Sequence, residues 1–385
     1  MWAAQALKDD FVVSLVTAGP VDLPRLNHFY GTTIDPSQVR IRSLAIPRVL
    51  SGRRAASALR GAFANRALKY IASEYDILIS AYNPCDFGRA AIHCVADFSW
   101  DEELRRSFAS PPGGVHGLFH RVAPLRSSYL RLCGMIAPPS GRELFSGDDF
   151  IVANSNWTAA RLRERHLADA RIVYPPVAGA FPDAPHEFRK SDFVCIGRIS
   201  PEKRIERMIE MVRTVRGRGH NVRLRIVGLF DASPYARKIA TIAERSREWI
   251  VLEGQQLGED KIKLLANCRY GIHGCEGEAF GIGVAEMIKA GCITFAPAEG
   301  GPAEIVNHRA LLYDNDADAV EKICAVLDSE ALSNELIRHL RHQAEKFSTD
   351  VFISSLREVV DGFCGSHAQG VATQPIDQSA GSPDL

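Results

Sequence analysis

Apolar positions along this chain follow two patterns, short β-branched runs and longer segments with helical spacing. In the first half they predict strands at 11–17, 39–44, 76–81 and 150–154, and helices at 53–73 and 157–166. In the second half they predict strands at 193–197, 224–228, 249–254, 270–274 and 292–296, and helices near 202–217, 232–247, 259–267, 283–290 and 316–328. Strands that alternate with helices are typical of α/β domains built on parallel sheets.

A proline-rich segment separates the two halves of the chain. Residues 174–188 contain four prolines, which fix φ and remove backbone donors, so this stretch is expected to be a linker. The end of the chain is rich in Gly, Ser, Pro and Gln, a composition typical of disorder. The predicted organisation is an N-terminal domain (1–175), a linker (176–190), a C-terminal domain (191–347), a helix that packs back on the N-terminal domain (348–364) and a disordered tail (365–385).

Composition and charge narrow the class of protein. The chain has 385 residues and no net charge, but residues 1–180 carry +5 and the remainder −5. That excess is too small to predict nucleic-acid binding. The nine cysteines form no C-x-x-C pair, and no apolar run is as long as the ~20 residues of a membrane span. We therefore expect a cytoplasmic protein with reduced thiols, peripheral at most on the inner face of a membrane.

The most informative motif is GEAFGIGVAEMIKAG at 277–291. Two carboxylates, Glu278 and Glu286, flank a pair of glycines that precede a predicted helix. A helix start offers free N–H groups and a partial positive charge, which suit a diphosphate. Carboxylates on either side can accept hydrogen bonds from pairs of hydroxyls on a sugar or a ribose. A surface glutamate beside an ordinary helix start would explain the motif equally well if it stood alone.

Two further motifs follow predicted strands in the same half. Arg198 and Lys203 come after a strand and a glycine, where two cations can neutralise a diphosphate. The turn GGPAEIV at 300–306 has two glycines before a proline at a helix start, so its backbone amides can approach a ligand. Each alone also fits an ordinary strand-to-helix turn with solvated side chains.

Together and in this order, the three motifs resemble the retaining GT-B glycosyltransferases of family 4, the group 1 glycosyl transferases. The resemblance is close over about 150–345, and it implies two doubly wound Rossmann-like domains that face each other across a cleft. It also implies that Glu278 contacts the donor sugar and Glu286 the nucleotide ribose. The donor-binding residues it implies are Gly197, Arg198, Lys203, His273, Glu278, Ala279, Phe280, Gly281, Ile282, Gly283, Glu286, Gly300 and Gly301. The segments 26–32, 152–177 and 271–306 are similar to eukaryotic enzymes that extend a lipid-linked oligosaccharide from GDP-mannose.

The resemblance implies a catalytic function as well. We expect a retaining transferase that moves a hexose from a nucleotide diphosphate sugar to a glycan or lipid-linked acceptor, with mannose as the favoured sugar. Arg198, Lys203 and Glu278 are its expected catalytic groups, together with His93 or Asp97 on the acceptor side. The alternatives are a catalytically impaired sugar-nucleotide-binding partner of another transferase, or a GT-B-like epimerase. For Asp97, capping of a helix near Asp101 is a competing explanation.

No metal or other cofactor is expected. The Asp-x-Asp within 314–318 resembles a metal-binding motif of GT-A enzymes, but it precedes a predicted helix and is better explained as a cap. In a GT-B enzyme, Arg198, Lys203 and a helix start perform the electrostatic role of a metal. The cysteines and histidines show no spacing typical of zinc ligands.

Two features of the first domain lead to further expectations. Residues 36–73 contain no acidic side chain and eight basic ones, interleaved with apolar residues. This pattern fits docking on an anionic membrane, and equally a solvated face of a packed helix.

The other feature concerns the start of the domain, where family members have a strand, a Gly-rich turn and a helix. Residues 2–8 look like the end of that helix, so we expect the domain sheet to lack one strand.

Overall fold

The computed structural model describes residues 1–47, 57–101 and 123–368. These residues form three parallel sheets flanked by helices. The α/β architecture expected from the alternation of patterns is confirmed.

The N-terminal domain contains two separate parallel sheets. Its strands are β1 (Val13–Thr17), β2 (Val39–Ser43), β3 (Ile79–Ser80), β4 (Ile92–Val95), β5 (Phe150–Ala153) and β6 (Arg171–Ile172). β1 pairs with β2, and β3 to β6 form a second sheet in sequence order. No pairing joins β1 to β3 among the described residues. Within the described residues, one edge of each sheet is therefore without a neighbouring strand where a doubly wound sheet would be continuous.

Helices surround these strands. They are α1 (Trp2–Leu7), α2 (Leu23–Tyr30), α3 (Ser57–Ile71), α4 (Ala123–Ile136) and α5 (Asn156–His166). Side-chain caps start two of them: Asp22 accepts a hydrogen bond from the backbone N–H of Arg25, and Ser155 accepts one from the N–H of Thr158. The helix predicted from residue 53 is described from Ser57 onward, so part of that prediction lies outside the described residues.

The C-terminal domain is built on one six-stranded parallel sheet. Its strands are β7 (Lys190–Ile196), β8 (Arg223–Val227), β9 (Ile250–Gly254), β10 (Cys268–Ile272), β11 (Ile293–Pro297) and β12 (Leu312–Tyr313). Their order is β12-β11-β10-β7-β8-β9. The two central strands, β7 and β10, lie side by side with Phe193 opposite Tyr270. Their carboxyl ends therefore meet at the same edge of the sheet.

Seven helices of this domain cover the sheet in the described part of the chain. They are α6 (Ile205–Gly217), α7 (Pro234–Arg245), α8 (Gly258–Ala266), α9 (Ile282–Lys289), α10 (Gly301–Val306), α11 (Asp316–Asp328) and α12 (Glu330–Glu345). The apolar face of α6 is buried at Ile205, Met208, Ile209 and Val212, with the i, i+3, i+4, i+7 spacing of a core-facing helix. A short 3₁₀ turn, Pro201–Lys203, precedes it.

The final described helix, α13 (Thr349–Ala368), packs against the N-terminal domain. Its Arg357 Nε donates to the carbonyl oxygen of Ala6 at 2.9 Å, and the rings of Phe363 and Phe150 meet edge to face. The helix continues through residue 368, so the prediction that disorder begins at residue 365 is wrong at its start. Four helical residues were assigned to the tail because the small side chains there gave no helical pattern; residues 369–385 lie outside the described ones.

Three strands were missed in the sequence: β4, β6 and β12. They contain two to four residues each, too few to show a periodic pattern. Parallel pairing with neighbouring strands defines them instead, as when Ile92 of β4 lies opposite Ile79 on one side and Phe150 on the other.

Candidate active site

A buried carboxylate lies between two basic groups at the edge where β7 and β10 end. Glu278 Oε1 is 2.6 Å from Lys203 Nζ, and Glu278 Oε2 is 2.6 Å from His273 Nε2. His273 directly follows β10, and Lys203 ends the 3₁₀ turn that follows β7. Burial would raise the pKa of Glu278, but His273 and Lys203 outweigh it and hold the pKa well below its ordinary value. Glu278 is therefore a carboxylate, with negative charge ready to accept hydrogen bonds.

Gly197 and Arg198 lie at the same edge. Gly197 borders the stem of Lys203: a Cβ at Gly197 would be 3.4 Å from Lys203 Cε. The Arg198 side chain is largely exposed, 3.4 Å from Glu202 Oε1. A small cavity lined by Gly197, Arg198, Lys203 and His273 opens beside them. The structure thus brings both predicted phosphate-binding cations to one opening, one buried and one free to move.

The helix start predicted to hold phosphate is present at α9. Gly281 precedes the helix with φ of 100°, a conformation that favours glycine, and no described side chain caps the helix. The first amides of α9 therefore keep their hydrogen-bonding capacity for a ligand. Ile282 at this start is partly exposed, whereas Gly283 packs against the backbone of Ile196.

The Gly-Gly turn before α10 packs onto the loop that contains Glu278. Gly301 N donates to the carbonyl oxygen of Glu278 at 2.8 Å. A Cβ at Gly301 would lie 2.4 Å from the Ala279 oxygen, so no larger residue fits there. Gly300 sits equally close to the backbone of Glu278. The described contacts give this turn a packing role on the loop, in addition to any amide it offers a ligand.

Glu286, the predicted ribose ligand, forms an ion pair that the sequence did not reveal. Its Oε1 lies 2.7 Å from Nζ of Lys261 on α8, and both side chains are largely buried. Lys261 is thus a residue of the site that sequence reasoning missed. The two residues lie on different helices and are 25 positions apart in the sequence. Local spacing therefore gave no indication that they form a pair.

Two of the predicted donor-binding residues face away from the opening. The Phe280 ring is buried against the rings of Tyr174 and Phe347. The carbonyl oxygen of Ala279 accepts hydrogen bonds from the hydroxyls of Ser155 and Thr158, at the start of α5 in the other domain. The Phe280 ring therefore belongs to the core, where a large apolar ring is more stable than at a polar site, and the expected contact of Phe280 with the donor stays a prediction.

The same helix start makes a second contact between domains. Backbone and side-chain amides of Asn156 both donate to the carboxylate of Glu304 on α10, at 2.6 to 3.0 Å. A carboxylate at a helix N-terminus is favourably placed in the field of the helix dipole. Helix α5 of the N-terminal domain is therefore tied to the loop of Glu278 and to helix α10.

The two acceptor-side candidates differ in their surroundings. His93 is buried on β4, where its Nε2 lies 3.6 Å from Asp149 and its ring stacks on Phe87, so it does not reach the opening. Burial lowers the pKa of His93. This contradicts the expectation that His93 orients an acceptor, because the strand turns its ring into the core.

Asp97 lies closer to the cleft. It accepts hydrogen bonds from the Tyr82 hydroxyl at 2.5 Å and from the backbone N–H of Ser99 at 2.8 Å. Burial and Asp97 raise the pKa of Tyr82 to about 12, while the positive charge of Arg198 acts in the opposite direction. Arg198 is therefore near the Tyr82–Asp97 pair. The helix expected after Asp101 falls outside the described residues.

The Asp-x-Asp sequence before α11 caps a helix. Asn315 accepts from the backbone N–H of Asp318 at 3.0 Å, and the carboxylate of Asp318 accepts from the N–H of Asp314 and pairs with Lys322. Asp316 pairs with Arg207. Helix capping thus accounts for the motif.

The site lies within a recognisable domain. Residues 182–346 match the family described as glycosyl transferases group 1. This match covers nearly the whole C-terminal domain. The sequence is also similar to "GDP-Man:Man(3)GlcNAc(2)-PP-Dol alpha-1,2-mannosyltransferase" from Mus musculus, at 26% identity over 54% of this chain and 47% of that protein. The relative of the same name from Dictyostelium discoideum is 25% identical over 52% and 45%. The chain therefore spans about half the length of the curated relatives it matches.

Solved structures of glycosyltransferases resemble the fold of this chain over most of its length. Sucrose-phosphate synthase from Thermosynechococcus elongatus has a TM-score of 0.68 at 15% identity, covering 94% of this chain and 92% of the other. The lipopolysaccharide glycosyltransferase WaaG has a TM-score of 0.64 at 16% identity, with 94% of both chains covered. At such low identity the likeness shows the fold alone, and it confirms the expected GT-B class. In the described part of the chain, no helix combines the length and hydropathy needed to cross a membrane.

Proposed function

We propose that this protein is a retaining glycosyltransferase that moves a hexose from a nucleotide diphosphate sugar to a glycan or lipid-linked acceptor. The observation that carries the proposal is the Lys203–Glu278–His273 cluster beside the uncapped start of α9. This arrangement offers a carboxylate that can bind hydroxyl groups, together with cations and backbone amides that can bind phosphate. The family of the C-terminal domain gives independent support.

In this mechanism the leaving diphosphate receives most of the stabilisation. Negative charge grows on it as the bond between sugar and phosphate breaks, while the sugar gains oxocarbenium character. Arg198, Lys203 and the first amides of α9 are the groups that we assign to stabilise that charge. Removing one such group from a desolvated site costs ~3–4 kcal/mol in the transition state.

The carboxylates hold the neutral parts of the donor. Glu278 accepts hydrogen bonds from sugar hydroxyls through Oε2, while Lys203 stays close enough to bridge Oε1 and the diphosphate. Glu286 accepts from the ribose hydroxyls, and the ion pair with Lys261 holds its carboxylate in place. Hydrogen bonds to charged groups each contribute about 1.5–3 kcal/mol.

The acceptor enters from the N-terminal domain. Asp97 is the group we assign to orient its hydroxyl, because the Tyr82–Asp97 pair lies near Arg198 across the cleft. The hydrogen bonds from α5 to the Ala279 carbonyl and to Glu304 join the two domains beside the loop that holds Glu278. Closure of the domains therefore depends on the conformation of that loop. Closure excludes water and so limits hydrolysis of the donor.

The donor is tested by thermal unfolding with GDP, UDP, ADP and their sugars. We expect GDP to raise the unfolding temperature more than UDP, because the sequence relatives are named for GDP-mannose. The shift should persist in EDTA, since Arg198 and Lys203 take the place of a cation. A larger shift with UDP would overturn the choice of mannosyl donor. A strict requirement for Mg²⁺ would contradict the electrostatic assignment.

Turnover without an acceptor separates this proposal from its alternatives. A transferase hydrolyses its donor slowly when no acceptor is present, and an epimerase returns an altered nucleotide sugar. A protein that only binds sugar nucleotides gives neither product. Chromatography of each nucleotide sugar after incubation with the purified protein decides among the three.

A basic surface on the N-terminal domain supports a lipid-linked acceptor. We define this surface by Arg40, Arg60 and Arg66, for which the described structure shows no ion pair. Arg66 lies on α3, which packs against α4 and exposes Tyr70, while α4 exposes Met135. Arg40 and Arg66 are exposed, and Arg60 is half-buried. Arginines beside exposed apolar side chains fit the headgroup region of an anionic membrane. Arg48, Arg53 and Arg54, in the same basic stretch, lie outside the described residues.

Vesicle binding tests the basic surface. We expect the protein to sediment with vesicles that contain anionic lipid, and to release as salt rises, since exposed charges are screened over ~10 Å at 0.1 M. The double variant Arg60→Gln/Arg66→Gln should bind more weakly, by ~1 kcal/mol per residue. Arg247→Gln, which removes an exposed charge from the other domain, is the matched control. Salt-insensitive binding, or none, would leave only the packed-helix explanation of the segment.

A further inference from the structure

The loop between β10 and α9 brings together three side chains of different chemistry. His273, Cys275 and Glu278 each present a potential ligand atom, and these atoms all lie within 4.8 Å of one another. Among the described residues this is the group whose spacing fits one metal ion. The sequence spacing H-x-C-x-x-E gave no sign of it, because the loop must turn back on itself to bring the groups together.

Two of these ligand atoms lack an ordinary hydrogen bond. His273 Nε2 and Glu278 Oε2 are fully buried atoms, and neither has a hydrogen bond of acceptable geometry in the described structure. They face each other at 2.6 Å, and the His273 side chain is 5% exposed. Their contact is the ion pair described above, whose geometry is poor for a hydrogen bond, and buried polar atoms of this kind are uncommon. A cation bound by both atoms would replace that contact once they separate to ~3.3 Å, the spacing of two ligands of tetrahedral zinc.

We propose that His273, Cys275 and Glu278 form a binding site for a thiophilic divalent cation such as Zn²⁺, and that the bound cation excludes the sugar nucleotide. Imidazole, thiolate and carboxylate are the ligand set of zinc, whereas Mg²⁺ requires oxygen ligands. Three protein ligands leave a fourth position for water. A cation bound at this site would inhibit the protein by excluding the sugar nucleotide. Its role differs from that of a metal that is required for transfer.

The charges around the loop favour occupation of one side of Glu278. Lys203 holds Oε1, so Oε2 remains for the cation. On binding, the Cys275 thiol releases its proton to solvent as the sulfur–metal bond forms, while the imidazole and the carboxylate bind through lone pairs.

Competition with the donor rests on the proposed function. There, Glu278 and His273 line the position of the donor sugar, so a cation held by both blocks that position. The cation site itself depends only on the geometry of the three side chains. The two statements can therefore fail separately.

Metal titration of EDTA-treated and desalted protein tests the site. With Cd²⁺ as probe, we expect an ultraviolet charge-transfer band from one thiolate, and competition by Zn²⁺. Cys275→Ser should remove the band and weaken Zn²⁺ binding at least about tenfold, since even outer partners of a metal site contribute 10–100-fold. Cys364→Ser, at a half-buried cysteine on α13, is the matched control and should keep the band. Cys275→Ala serves as a second variant, with thermal unfolding to verify its fold.

Donor binding is measured on the same samples. Zn²⁺ should raise the apparent dissociation constant of the nucleotide sugar in the wild type and in Cys364→Ser, but far less in Cys275→Ser. A cadmium band that survives in both Cys275 variants would overturn the metal site. If the band disappears in those variants, yet metal and nucleotide sugar bind the wild type together, the cation site stands and the donor placement is wrong.

Discussion

Lys203→Ala should lower kcat/KM by a few hundredfold while the protein remains folded. Lys203 is largely buried, 2.6 Å from Glu278, at the opening where the diphosphate is proposed to leave. Loss of one such group from a desolvated site costs ~3–4 kcal/mol of transition-state stabilisation. The substitution also removes one partner of the buried Glu278 carboxylate, which raises the pKa of Glu278 toward its ordinary value. Steady-state kinetics with the nucleotide sugar measure the effect, and thermal unfolding verifies the fold.

The control for this result is Lys238→Ala. Lys238 also pairs with a glutamate, Glu206, but it is mostly exposed on α7. An exposed ion pair contributes ~0–1 kcal/mol to stability, so the control should keep near-normal rates. A few-hundredfold loss in both variants would indicate a general electrostatic effect on the domain, and not a role for Lys203 in the site.

Glu286→Ala should cause a loss of similar size through donor binding. Two hydrogen bonds from ribose hydroxyls to a carboxylate contribute about 3 kcal/mol or more in total. The substitution also leaves Lys261 without its partner. Near-normal rates in both Lys203→Ala and Glu286→Ala would show that the donor site is misplaced.

A strand supplied between β1 and β3 should raise both turnover and thermal stability. In the part of the chain that the structure describes, each of the two sheets of the N-terminal domain has an edge without a partner strand at this place. Val13 of β1 and Ile79 of β3 pack against one apolar cluster, which also includes Leu7 of α1 and Val359 of α13. Because the two sheet edges cover the same apolar cluster, one parallel strand placed between them could pair with both. Without it, we expect residues 1–385 to bind nucleotide but to transfer sugar slowly.

The order of elements dictates how the strand should be joined. A strand and a Gly-Gly turn placed ahead of Met1 would lead into α1 and then β1, which is a strand–helix–strand unit with the usual right-handed crossover. The experiment compares residues 1–385 with and without this extension, and with an extension that carries prolines at alternate strand positions. The prolines remove ladder hydrogen bonds and should abolish the gain. Robust transfer by residues 1–385 alone would show that the strand is dispensable.

The fold class could be predicted from the sequence because most elements signal themselves locally. Long amphipathic helices such as α6 and buried strands such as β7 have a periodicity that only one structure satisfies. The short strands could not be found in this way. Two to four residues carry no period, and their neighbours in the sheet determine them.

Some features of the candidate site could likewise be predicted from the sequence, and others could not. Glycines, carboxylates and cations at strand ends mark the motifs around Arg198, Lys203, Glu278 and Glu286, since parallel strands bring such ends to one edge. The sequence could not reveal that Phe280 belongs to the core or that His93 points away from the cleft. Those outcomes depend on which side of a loop or a strand faces a neighbouring element.

The sequence by itself thus determined the α/β class, the GT-B resemblance and the region of the donor site, because these depend on local pattern. Tertiary structure alone decided the Lys261–Glu286 pair, the ties from α5 to the loop of Glu278 and the grouping of His273 with Cys275. Each of these is a contact set by the packing of separate elements or by the path of a loop. Contacts of that kind depend on the three-dimensional arrangement of the chain, which residue spacing does not encode.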